Sequence, residues 1–134
     1  MYNCICVRLK RGDDIKTEIQ RIAIEQEIKC GAVLSAVGCV SSAVVRDAGG
    51  VELRHINQNC EIVSLMGTVS QIRSHLHISL AKQDLTVIGG HLMEGCIVNT
   101  TCELIITHID NYEIDTQFDS TTGYNEAIFN RKES

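Results

Sequence analysis

His75 and His77 stand two residues apart, and a third histidine, His91, follows the pair Gly89-Gly90. Strand side chains alternate between faces, so His75 and His77 project to one side if this stretch is extended. His91, at the end of the next turn, then completes a cradle of three nitrogens. The two glycines are expected to let backbone close around a ligand there. Three imidazoles leave a tetrahedral zinc with one open position, the arrangement of catalytic rather than closed structural sites. All-imidazole sites suit zinc, and nickel or copper can replace it. His55 and His108 fall outside this pattern and read as exposed or hydrogen-bonded side chains.

A three-histidine zinc lowers the pKa of its bound water to about 7 and so supplies a hydroxide nucleophile. A hydrolase also needs a base and a group that stabilises developing charge. Glu61 and Glu103 are the candidate carboxylates, and Ser64 and Thr101 the candidate hydroxyls. All four also suit ordinary strand surfaces. The sequence contains no Gly-x-Ser-x-Gly elbow, Walker loop or Gly-x-Gly-x-x-Gly fingerprint. Three readings of the metal follow. It serves a binding or regulatory module whose open position takes a small molecule or anion, or it serves a zinc-dependent hydrolase or lyase acting on a small metabolite. In the third it is structural and ties the histidine strand to the Gly-Gly loop.

The elements that position these residues are mostly strands. Residues 2–10 alternate apolar and polar and enter a turn at Arg11-Gly12. Asp13 or Asp14 then caps a helix with Ile15, Ile19, Ile22 and Ala23 on one stripe, and Gly31 supplies a left-handed stop. Strands are expected over 32–39, 42–47, 51–57, 60–69, 74–80, 86–89 and 96–109, with short turns that imply antiparallel pairing. The fold class is therefore α+β, one domain over 1–134, with a mostly antiparallel sheet and one amphipathic helix packed on it. A core over 1–109 is followed by a C-terminal extension over 110–134. That extension holds one short strand at Ala127-Ile128-Phe129 and a frayed tail from Asn130 to Ser134.

Charge argues against a dedicated nucleic-acid surface. Across the 134 residues the net charge is −5, and no Lys or Arg occurs between Gln83 and Asn130. With no Trp and aromatic content of 4%, stacking on single strands is disfavoured. If DNA is bound, the contacts fall to Arg8, Lys10, Arg11, Arg46, Arg54 and Arg73. The seven cysteines form no Cys-x-x-Cys pair and read as small buried hydrophobes of a reducing cytoplasm. Arg8, Lys10 and Arg11 follow the first apolar run instead of preceding it, so no secretory signal is read there. No stretch is long and apolar enough for a membrane-spanning helix.

Gly31-Ala32-Val33-Leu34-Ser35-Ala36-Val37-Gly38, Ala43-Val44-Val45-Arg46 and Glu61-Ile62-Val63-Ser64-Leu65-Met66-Gly67 together resemble the PPC (plants and prokaryotes conserved) domain family. The resemblance continues in order through His75-Leu76-His77-Ile78-Ser79-Leu80-Ala81, Gly89-Gly90-His91-Leu92, Gly95-Cys96-Ile97-Val98 and Thr100-Thr101-Cys102-Glu103. It implies a compact α+β domain that assembles as a homotrimer, DNA binding, and zinc held by His75, His77 and His91. Plant members attach the domain to AT-hook segments, but no Arg-Gly-Arg-Pro occurs in this sequence. Of the plant partner-binding hexapeptide, only Glu61-Ile62 remains within Gln58–Val63.

Overall fold

A computed structural model describes residues 3–133. Tyr2 of the expected first strand and Ser134 of the expected tail lie outside the described residues. The chain opens with strand β1 (Cys4–Lys10) and turns into helix α1 (Ile15–Glu25). Asp14 caps the helix from an extended conformation, its Oδ1 accepting the Thr17 N–H at 3.0 Å. Its Oδ2 accepts the Gly95 N–H at 2.6 Å, which ties the helix start to a distant turn. Ile15, Ile19, Ile22 and Ala23 are buried, as their spacing predicts.

The helix stop differs from expectation. The Ile28 N–H reaches Ala23 O at 2.9 Å and the Glu27 N–H reaches Ile24 O at 3.2 Å, the paired bonds of a Schellman ending. Glu27 takes the left-handed position, at φ 51°. Gly31 instead begins the next strand, where a Cβ would lie 2.7 Å from Thr107 O. Its lack of a side chain serves strand packing, so the sequence signal was real but marked a different constraint.

The remaining elements are β2 (Gly31–Arg46), β3 (Leu53–Ile56), β4 (Cys60–Val69), β5 (Ser74–Ala81), β6 (Val87–Leu92), β7 (Ile97–His108), β8 (Tyr112–Asp119) and β9 (Tyr124–Arg131). Seven strands form one antiparallel sheet in the order β1-β7-β2-β4-β5-β6, with β3 also on β2. β6 pairs back onto the end of β2, closing the path β2-β4-β5-β6 on itself. The two strands expected over 32–39 and 42–47 are one, because β2 absorbs the break with register shifts at Gly38/Val40 and Val40/Ser42. Helix and sheet share one aliphatic core that includes Ile15, Ile19, Val40, Leu80, Leu104 and Ile106. The α+β class, with a mostly antiparallel sheet and a single helix among the described residues, is as the patterning implies.

The C-terminal stretch departs further. β8 and β9 form a two-stranded ribbon, with Asn130 and Arg131 paired to Glu113 and Tyr112 where a frayed tail was expected. Its turn is built by Asp119, whose Oδ1 accepts from the N–H and hydroxyl of Thr121, and by Gly123 at φ 80°. Ile114 alone of the ribbon is buried, so the apolar alternation that would betray strands is faint. Of the seven cysteines, all free, Cys30, Cys60, Cys96 and Cys102 are buried as expected, whereas Cys6 is exposed. Among the described residues no helix is long and apolar enough to cross a membrane.

Candidate metal centre

β5 alternates strictly. Leu76, Ile78 and Leu80 enter the core while His75 and His77 face out. β6 lies beside it with His91 directly across from His77, and Leu92 buried next to it. Continuing across the same face, His91 pairs with Arg46 of β2, and on the other side His77 pairs with Met66 of β4. The three rings form a triangle with centroid separations of 5.3, 5.4 and 5.7 Å. One ligand nitrogen from each lies within 4.8 Å of the others. Zinc–nitrogen bonds of about 2.0–2.1 Å draw tetrahedral ligands closer than this, a gap that rotation of the exposed His75 and His77 rings covers.

His91 is not in a loop after Gly89-Gly90. All three belong to β6, and the glycines serve neighbouring strands rather than a ligand. A Cβ on Gly89 would overlap Ile78 O, and one on Gly90 would lie 2.6 Å from Arg46 O. Gly67 of β4 plays the same part on the other flank, where a Cβ would overlap His75 O. Close backbone approach on both sides is what brings the rings of β5 and β6 onto one small patch.

The chemistry of the donor set fits a metal. His91 Nδ1 is buried with no hydrogen-bond partner among the described residues. A neutral imidazole carries one acceptor nitrogen, and burying it unmatched is costly unless a ligand takes it. Burial first, and then the positive charge of Arg46, push the His91 pKa down to about 4. Loss of hydration around the ring also lowers that of His75, helped by His77 and Arg73 and opposed by Glu126. Both shifts favour the unprotonated form that a metal needs.

Of the carboxylates and hydroxyls singled out for catalysis, only Ser64 shares a neighbouring register pair with the histidine face, through Ser79. Glu61 pairs with Ala81 and Cys39, and Glu103 with Arg8 and Val37. Ser64 Oγ bonds Ser79 Oγ at 2.6 Å, and Thr101 Oγ1 is buried without a partner among the described residues. None lines the hollow beside the histidines. His55 is exposed on β3, and His108 Nε2 lies 3.8 Å from Asp110 Oδ1.

The six basic residues divide among separate places. Arg8 and Lys10 are exposed on β1, and Arg11 in the turn beyond donates to Asn99 O at 2.9 Å. Arg54 pairs with Asp47 at 3.1 Å and Glu52 at 3.3 Å, and its register partner is Val45, which puts it on the opposite face from Arg46. Arg46 and Arg73 instead join His75 and His91 in one hollow, with Tyr124 and Glu126 of β9 on its far wall. Sequence reasoning missed Tyr124 and Glu126 altogether. Only the ribbon, whose pattern is faint, carries them there.

Fold and side chains define a small β-rich domain with an outward-facing three-histidine cluster. The chain belongs to the Plants and Prokaryotes Conserved (PCC) domain family, whose profile matches residues 2–110. It is 38% and 37% identical, over 120 residues, to the bifunctional protein GlmU of two Synechococcus strains. These alignments cover 90% of this chain but 19% of the relatives, so the chain spans about a fifth of their length. A hypothetical protein from Salmonella enterica has the same fold at a TM-score of 0.95 and 23% identity, covering 99% of this chain and 96% of that one. The metal-containing protein of Archaeoglobus fulgidus superposes at 0.79 with 28% identity, covering 94% and 93%. A Bacteroides thetaiotaomicron protein described as a candidate DNA-binding protein superposes at 0.81 with 20% identity and 96% coverage of both chains.

Proposed function

We propose that this chain is a metal-binding module that holds zinc through His75, His77 and His91 and leaves one coordination position for an exchangeable ligand. The observation that carries the reading is the convergence of three imidazole donors, within 4.8 Å of one another, from two adjacent strands. The metal-containing relative from Archaeoglobus supports it. None of the catalytic candidates Glu61, Glu103, Ser64 and Thr101 lines the hollows beside the cluster, which favours binding over hydrolysis. One observation favours the rival, a zinc-dependent hydrolase or lyase for a small metabolite: the Glu126 carboxylate lines the same hollow as His75. X-ray absorption of the zinc-loaded protein tests the centre, with three imidazole nitrogens at about 2.0–2.1 Å expected. A shell of sulfur or carboxylate oxygen contradicts it.

The proposed function includes a DNA-binding role, for which the support is that the Bacteroides neighbour is described as a candidate DNA-binding protein. With Arg54 neutralised by Asp47 and Glu52, the duplex contacts fall to Arg8, Lys10 and Arg11 or to Arg46 and Arg73. Few contacts mean weak binding that falls with salt, and failure to retard duplex at low salt removes this part of the reading. The assembly proposed is a homotrimer, supported by the exposed apolar side chains Leu34, Val37, Val63 and Met66 on β2 and β4. A monomeric mass in solution contradicts that. Seven free cysteines support residence in the reducing cytoplasm.

A further inference from the structure

The hollow beside the histidines is more basic than the chain as a whole. The chain carries a net charge of −5, yet here two guanidinium groups, Arg46 and Arg73, face one carboxylate, Glu126. Among the described residues neither arginine is spent on an acidic partner as Arg54 is. Arg46 Nε is buried and has no hydrogen-bond partner among the described residues. Arg73 is held from behind, its Nη1 donating to Asn125 O at 2.8 Å, which leaves the other donors of its fork. A buried guanidinium nitrogen left unmatched is costly, and next to it His91 Nδ1 is unmatched as well. With His91 Nδ1 assigned to the metal, the orphaned Arg46 nitrogen calls for an anionic occupant beside it.

We propose that this hollow is a phosphate subsite, which places a phosphate group between the Arg46 and Arg73 guanidinium groups and the open position on the metal. The inference deepens the metal-binding reading and rests on it. Guanidinium forks bind phosphate oxygens through paired, charge-assisted hydrogen bonds. A tetrahedral oxyanion has oxygens to offer two arginines and a metal at once, whereas a carboxylate has two in one plane. Tyr124, on the β9 wall, supplies a hydroxyl donor at the rim. Glu126 opposes the anion and so limits affinity, keeping the ligand exchangeable. A positive hollow in an acidic protein also focuses the field that draws a phosphate in.

The test uses the full chain loaded with cobalt(II), whose visible spectrum reports ligand exchange at the metal, titrated with inorganic phosphate and separately with acetate. Saturable phosphate binding is expected to change the spectrum, with acetate at least about tenfold weaker, as loss of one arginine contact implies. Arg46→Gln and Arg73→Gln should each weaken phosphate by about tenfold on the same scale. Glu126→Gln should tighten it, an opposite sign that a merely structural effect does not produce. Cobalt stoichiometry should be unchanged in all three. Equal phosphate affinity in the wild type and both arginine variants overturns the proposal, as does acetate binding as tightly as phosphate. If Arg46→Gln does not fold, Arg73→Gln and Glu126→Gln decide the matter. If the wild type takes up no cobalt, the metal reading fails separately. Calorimetric titration of the metal-free chain then reads the subsite, where arginine-dependent phosphate heat upholds it and no heat overturns it.

Discussion

His77 of β5 and His91 of β6 are register partners across an antiparallel ladder, with ring centroids 5.7 Å apart, and His75 completes the triangle from the same face of β5. Two of the three proposed ligands are thus set by backbone pairing and the third by strand alternation. Such a site is preformed by the sheet and does not wait for a loop to close.

Removing one ligand should therefore cost metal affinity without costing the fold. His91→Ala, on the outer face of β6, is expected to lose at least about 100-fold in zinc affinity, as disabling one of three ligands implies. Thermal melts check this. Zinc at a hundred times its dissociation constant should stabilise the wild type by about 2.7 kcal/mol and leave His91→Ala unmoved. Stabilisation by zinc in both contradicts the assignment.

Acid should unfold the metal-free protein through the same residues. His91 has a folded pKa of about 4, below its ordinary value of 6.5, and that of His75 is lowered too. Below pH 6.5 the unfolded chain therefore binds more protons than the folded one, so stability is full above that pH. It falls as pH drops from about 6.5 towards 4, and bound zinc should be lost over the same descent. Denaturant midpoints measured between pH 4 and 8 check the sign. A midpoint that rises on acidification contradicts it.

Gly67 and Gly89 bracket the histidine strand, and a Cβ at either would overlap a backbone oxygen of β5. Gly67 also holds φ 147°, which a side chain disfavours. Gly67→Ala and Gly89→Ala should each cost about 1–3 kcal/mol or more, typical of overpacking, and should weaken zinc binding by displacing His75 or His77. Equilibrium unfolding together with zinc titration tests both arms. Loss of stability with zinc affinity intact would separate the glycines from the site.

Glu27 offers a contrasting substitution away from the site. It occupies the left-handed position of the helix ending at φ 51°. Glu27→Gly should raise stability by about 1 kcal/mol, because only glycine takes that conformation without strain. Zinc affinity should not change. A fall in unfolding midpoint would contradict the account of the helix end.

How much of this was legible follows from which constraints are local. The alternation of residues 74–80 and the stripe of α1 are read from side-chain period, and the start of β4 from the turn residues Asn57-Gln58-Asn59 before it. All three histidines are visible as residue types. Their register is not, since the pairing of His77 with His91 depends on how β5 and β6 align. Gly31 and Gly89-Gly90 misled in a consistent way. As residue types they suggest backbone freedom, whereas each answers a steric demand from a neighbouring strand. Arg46 and Arg73 were grouped with Arg8 and Arg54 as one set of cations, and only the fold divides them. Glu126 was hidden because the ribbon bearing it buries a single side chain, Ile114, and so shows little period.

The most direct measurement is the metal content of the purified protein after zinc supplementation and removal of loose metal, for the wild type and His77→Ala. The account predicts a stoichiometric zinc in the wild type and almost none in the variant, with both chains folded. Equal metal in the two, or a wild type that retains none, contradicts it.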